Sequence, residues 1–107
     1  MSPEVPRLTL TGNRLSVSGD ISPDNVGPIR AEGERLIAEQ AGGEAIVVDL
    51  SGLGVAHSIV LSLLLCWMRL AASENRALCL EGVGERLRSL ATLSGLDEYL
   101  PGLTSQS

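Results

Sequence analysis

The sequence predicts a single α/β domain: a central mixed sheet of about four strands with three to four helices packed on it. Three observations predict it. Near the start, RLTL and RLSVS alternate polar and apolar residues at period two, the spacing of half-buried strands. Further on, AIVVDL and ALCLEG are short apolar runs of strand length. Between and after these lie longer stretches whose apolar residues recur at helical spacing. The resulting order is β-β-α-β-α-β-α, with no repeat and no internal linker. The 107 residues suffice for one compact domain and not for two, so residues 1–107 are expected to form one unit.

In order along the chain, Arg7 to Leu10 and Arg14 to Ser18 form the two alternating strands, and Thr11-Gly12-Asn13 supplies turn chemistry between them. The stretch GDISPDNVGPI breaks the pattern. Ser22 is a candidate N-cap with Pro23 behind it, although Pro28 allows a later start. Ile29, Leu36 and Ile37 then share one helical face, and Gly42-Gly43 ends that helix. Ala45 to Leu50 reads as a central strand covered on both faces. After the apolar run at Ala56–Ser73, Ala77 to Gly82 reads as another buried strand, with Gly82 and Gly84 turning the chain into a helix. That helix carries Leu87, Leu90, Ala91 and Leu93 and stops at Gly95. DEYLPGLTSQS is expected to add one helical turn, opened by Asp97 and Glu98, and a frayed end. Asp20 and Asp24 read as turn and cap residues.

Composition narrows the function. The chain is 44% hydrophobic and 20% charged, a globular balance, and with 2% aromatic residues and no Phe its core must be built from Leu, Val, Ile and Ala. Its formal net charge is −5. An acidic surface repels phosphates and aromatic stacking platforms are absent, which argues against nucleic-acid binding. MSPEVPRLTL has no basic region followed by an apolar one, so no secretory signal is expected and a cytoplasmic location is. Cys66 and Cys79 sit in apolar segments and read as buried free thiols.

The run AHSIVLSLLLCWMRLAAS is the most informative stretch. A membrane span needs about 20 apolar residues. A helix from Ser58 to Ala72 would be roughly 22 Å long and contains Ser62 and Arg69, so direct membrane insertion is not expected. At about 100° per residue, Ser58, Ser62, Arg69 and Ser73 share one narrow stripe flanked by Leu65 and Cys66. Ile59, Val60, Leu63, Leu64, Trp67, Met68, Leu70 and Ala71 cover most of the remainder. An ordinary exposed face would carry several charges; this one offers serines, a leucine and one arginine. Two readings follow: a surface for another protein, or a helix deep in the domain's own core. Ser58 at the helix start is either an N-cap or a regulatory hydroxyl, whose phosphate would disrupt an apolar docking surface. His57 reads as a loop residue or partner contact rather than a base.

Catalytic constellations are missing. One histidine and two separated cysteines do not make a zinc site, and no metal or other cofactor is expected. His57-Ser58 has no G-x-S-x-G elbow around it, and EGVGER is no phosphate-binding signature. A small enzyme using His57 has no substrate to suggest it. A binding module is the expectation.

Four motifs in this order resemble those of STAS domains, the fold of bacterial anti-sigma factor antagonists. Gly19-Asp20-Ile21-Ser22 is similar to the family's G-E-L-D segment, and Asp49-Leu50-Ser51-Gly52 to its D-L-S-G-V. His57-Ser58-Ile59-Val60-Leu61 occupies the place of D-S-S-G-L, and Leu93-Ser94-Gly95-Leu96 matches the end of the third helix. In regulatory members a kinase phosphorylates the first hydroxyl of D-S-S-G-L, which maps to Ser58. Here His57 replaces the acid, and Ile59 and Val60 replace Ser and Gly. The kinase loop is altered while the docking face survives. Compact members with a degraded switch resemble the cytoplasmic B subunit of the Mla phospholipid-transport ABC system. That resemblance implies a non-catalytic subunit that binds the ATPase and, through it, the permease and lipid-binding subunits. It also implies a place at the inner face of the cytoplasmic membrane and a role in outer-membrane lipid asymmetry. His57, Ser58, Ser62, Leu65 and Arg69 would then contact the ATPase. The rival is an anti-sigma factor antagonist that binds an anti-sigma kinase and is phosphorylated at Ser58.

Overall fold

Strands β1 (Arg7–Thr11) and β2 (Arg14–Gly19) pair antiparallel, with Thr11 opposite Arg14, so Gly12 and Asn13 alone make the turn. Gly12 takes φ +60°, which a two-residue hairpin demands at its first central position. The structure, a computed structural model, describes residues 5–39, 45–54 and 57–95. The expected end of the first helix at Gly42-Gly43 and the helical turn after Gly95 lie outside the described residues, as do Asp97 and Glu98.

The remaining elements follow the expected order: α1 (Val26–Glu39), β3 (Ile46–Leu53), α2 (Ile59–Ser73), β4 (Leu78–Glu81) and α3 (Glu85–Leu93). The sheet runs β1-β2-β3-β4, and β3 lies parallel to both β2 and β4. This is the mixed four-stranded sheet with three helices that the alternating strands and apolar runs imply, a single compact α/β domain. α1 begins later than Ser22. The Ser22 carbonyl instead closes a turn by accepting from the Asn25 and Val26 N–H groups, while Asn25 Oδ1 accepts from the Ser22 N–H.

The sheet is covered on one face among the described residues, which corrects the two-sided burial expected of β3 and β4. Leu15, Val17, Ile46, Val48, Leu50, Leu78 and Leu80 are buried beneath the helices. The alternate positions carry Arg14, Ser16, Asp49, Cys79 and Glu81, of which Arg14, Cys79 and Glu81 are exposed. Cys79 is therefore a surface thiol and Cys66 a half-buried one; both are free. β3 reads as fully apolar because Val47 adds a β-branched residue to the open face, where an apolar run cannot reveal its second side. On that face Arg14 bridges Asp49 at 3.3 Å and Glu81 at 2.6 Å. The Ser51 backbone N–H, 3.0 Å from Asp49 Oδ1, and next the Ser51 hydroxyl hold the Asp49 carboxyl below the usual carboxylate range, and Arg14 adds to this.

α2 is the keystone of the core. Val60, Leu61, Leu63, Leu64, Trp67 and Ala71 are all buried, and a fully buried Leu contributes about 1.5–3 kcal/mol. Trp67, fully buried, lies against α1 at Gly33, where a Cβ would overlap the indole, and its Nε1 donates to the Arg30 carbonyl at 3.2 Å. α2 ends in a Schellman motif: the Asn75 N–H donates to the Ala72 carbonyl and the Arg76 N–H to that of Ala71, with Asn75 at φ +60°. In α3, Leu87 and Ala91 are buried, but Leu93 is 85% exposed, so it is not the core residue its spacing suggested. Gly95 at φ +71° stops this helix as expected.

Candidate docking face on the second helix

The candidate site begins where β2 and β3 end together. The Gly54 N–H donates to the Gly19 carbonyl at 2.9 Å. A side chain at Gly54 would collide with the Asp20 carboxylate, and one at Gly52 with Ser18, so both glycines let the strand ends approach. From there the chain reaches His57, whose carbonyl accepts from the Val60 N–H at 3.0 Å; the Ser58 carbonyl likewise accepts from Leu61.

Ser58 has helical backbone angles, φ −61° and ψ −23°, and its hydroxyl makes no capping hydrogen bond. Of the two roles open to it, the cap is not used. His57, Ser58, Ser62 and Arg69 are exposed, and Leu65 and Cys66 are half-buried beside them. Ala72 and Ser73 continue the exposed strip. At helical spacing Ser58, Ser62, Leu65 and Arg69 fall on one side of α2, opposite the buried Val60, Leu63, Leu64, Trp67 and Ala71, and His57 is exposed just before the helix. The alternative of a helix enclosed on all sides is ruled out by the exposure of Ser58, Ser62 and Arg69.

Chemically, the strip offers hydroxyl, apolar and guanidinium groups for contact. His57 and Ser58 are adjacent and exposed, with no orienting carboxylate hydrogen-bonded to the imidazole among the described residues. No group of three or more His, Cys, Asp or Glu side chains among them could hold a metal ion. No helix among them is long and apolar enough to cross a membrane. A feature missed in the sequence is a recess of about 440 Å³ at the C-terminal ends of β3 and β4, whose lining includes Leu50, Leu53, Gly82, Glu85, Arg86 and Leu87. Its only linear sign is the Gly82/Gly84 turn.

The one-sided mixed sheet, together with a β3–α2 junction that opens onto a sparsely charged helical strip, defines an α/β module of the STAS fold. The chain belongs to the family described as Mlab, STAS domain, whose model matches residues 4–104. Similar solved structures include a chain of the Acinetobacter MlaFEDB complex in an ATP-bound Vtrans2 conformation. It is 25% identical with a TM-score of 0.78, the match covering 90% of this chain and 98% of that one. The unphosphorylated anti-sigma factor antagonist SpoIIAA is 20% identical with a TM-score of 0.70, covering 95% and 90% of the two chains. An anti-sigma factor antagonist from Mycobacterium paratuberculosis is 20% identical at 0.65, covering 95% and 86%. The last two are likenesses of fold. No curated protein sequence matches the chain.

Proposed function

We propose that this protein is a non-catalytic STAS subunit of a phospholipid-transport ABC transporter. It docks on the ATPase subunit through His57, Ser58, Ser62, Leu65 and Arg69, and supports assembly and activity of the complex in maintaining outer-membrane lipid asymmetry. It works at the inner face of the cytoplasmic membrane, held there by its complex with the ATPase, the permease and the lipid-binding subunits. The observation that carries this reading is the exposed strip of α2, which has one charge in a chain with 20% charged residues. Low charge density is what distinguishes the centre of a protein interface from ordinary surface. The family match and the similarity to a chain of the MlaFEDB complex support the choice of partner.

Ser58→Glu tests it. The hydroxyl is exposed and caps nothing, so the variant should fold with an unchanged thermal midpoint. In the complex it would force an unpaired carboxylate into a desolvated contact, at a cost of a few kcal/mol. Native-level tagged protein should co-purify with an ABC ATPase and its permease, and Ser58→Glu should lose both. A Ser58→Glu protein that folds and retains them at wild-type affinity removes this reading.

A second reading is favoured by the same free hydroxyl: an anti-sigma factor antagonist, binding an anti-sigma kinase and phosphorylated at Ser58. Intact mass after incubation with the cell's kinases and ATP separates the two, since a single phosphate on Ser58 supports the antagonist.

A further inference from the structure

Arg69 is the only charged residue among the 15 of α2, and it is exposed. It stands in no ion pair or hydrogen bond among the described residues. The neighbours that a helix brings within its reach, three and four positions away, are Leu65, Cys66, Ala72 and Ser73. No carboxylate is among them, although the chain has 13 acidic residues for 8 basic ones. The adjacent helix α1 offers none either. Its Glu34 is taken by Arg30 at 3.3 Å, and Glu32 and Glu39 by Arg35 at 2.8 and 3.1 Å. Elsewhere Arg14 holds both Asp49 and Glu81. Both arginines of α1 and the Arg14 of the sheet are thus neutralised, whereas Arg69 has no counter-charge on the docking face among the described residues.

Arg69 lies eleven residues beyond Ser58, about 16 Å along the helix and within about 20° of the same face. The strip therefore has two parts: an uncharged contact formed by Ser58, Ser62 and Leu65, and a cation one helical turn past Leu65. We infer that Arg69 reads a carboxylate on the docking partner, so that the ATPase presents an apolar patch with an aspartate or glutamate set about 16 Å from the Ser58 contact. This rests on the docking reading above and specifies the partner's chemistry. A phosphate-bearing surface does not fit, because one arginine on a chain of net charge −5 lacks the basic cluster such surfaces need. A planar guanidinium suits bidentate carboxylate pairing, and arginine is enriched among residues that dominate interfaces.

The test uses the full chain and the purified ATPase subunit of the same organism's Mla-type transporter, with Kd measured between 50 and 300 mM NaCl. Because Arg69 is exposed and in no ion pair among the described residues, Arg69→Gln and Arg69→Glu should keep the wild-type thermal midpoint. Arg69→Gln should weaken binding about tenfold at 0.15 M salt and flatten its salt dependence, and Arg69→Glu should weaken it about a hundredfold. Reversing the charge of one exposed acidic residue of the ATPase should restore binding to Arg69→Glu alone. Wild-type affinity and salt dependence in both variants, with Ser58→Glu still disrupting the complex, overturn the carboxylate assignment and leave the docking reading standing. Absence of any binding by the wild-type chain overturns both.

Discussion

Replacing Gly33 by alanine tests how α1 and α2 are held together. The position is mid-helix, where alanine is normally favoured over glycine by about 1 kcal/mol. Here the added methyl would lie 2.6 Å from the Trp67 Nε1 and closer still to Cε2 and Cζ2. The indole is completely buried and has nowhere to retreat. Overpacking of this kind costs about 1–3 kcal/mol. Moving the ring also breaks the 3.2 Å bond from Nε1 to the Arg30 carbonyl, which leaves a buried donor unsatisfied for about 1 kcal/mol more. Set against the gain in helix propensity, Gly33→Ala should destabilise by about 1–3 kcal/mol, lowering the thermal midpoint of a domain this size by about 5–20 °C. Urea melts followed by far-UV circular dichroism should show a lower midpoint with an unchanged slope. Trp67 is the only tryptophan, so near-UV signals report the same contact directly. Gly27→Ala, in the same helix with open space around the new methyl apart from the adjoining helix backbone and chain neighbours, should stay within about 0.5 kcal/mol of wild type, since the following Pro28 disfavours a side chain there and offsets the propensity gain. Adding Trp67→Phe should recover part of the loss at Gly33→Ala, a coupling visible in a double-mutant cycle. A Gly33→Ala protein as stable as wild type would refute the reasoning.

Asp49 makes stability depend on acid pH. Its folded-state pKa lies below the unfolded value of about 3.9, so its contribution is complete above that value and lost as pH falls through the folded pKa. Asp49→Asn should be about 1 kcal/mol less stable at pH 7, and the difference should fade below about pH 4; a constant difference down to pH 2 would exclude the mechanism. At α3, the N-cap Gly84 has extended angles, φ −76° and ψ 165°, no side-chain cap and open space around a Cβ. Gly84→Ser should add a hydroxyl acceptor for an orphan N–H and raise stability by a few tenths to about 0.5 kcal/mol, read as a small rise in thermal midpoint. An unchanged or lower midpoint would show that the first turn is already satisfied.

Local patterning carried much of this structure. The period-two alternation of RLTL and RLSVS around Gly12-Asn13 specifies a hairpin, because only that register puts Leu8, Leu10, Leu15 and Val17 on one side. The helical spacing of α2 likewise separated the strip of Ser58, Ser62 and Arg69 from the buried Leu63, Leu64 and Trp67. Both are matters of neighbours along a single element, so a linear reading reaches them. What lay across elements was not legible. An apolar run gives no sign of whether one or both faces of a strand will be covered, so β3 and β4 looked buried although Cys79 and Glu81 face outward. Leu93 sits at a core-like spacing, yet the helix ends before any neighbour covers it.

By itself, then, the sequence determined the element order, the hairpin, the uncharged stripe and the motifs that mark the family, since each depends on residues close together in the chain. Only the tertiary structure decided that all three helices share one face of the sheet, that Gly33 makes room for the Trp67 ring, and that Arg69 meets no acid among the described residues. Those three depend on which side chains arrive together from distant segments. A buried ring fills whatever space a partner helix leaves, and an exposed charge is paired or unpaired according to the carboxylates that packing brings within about 4 Å.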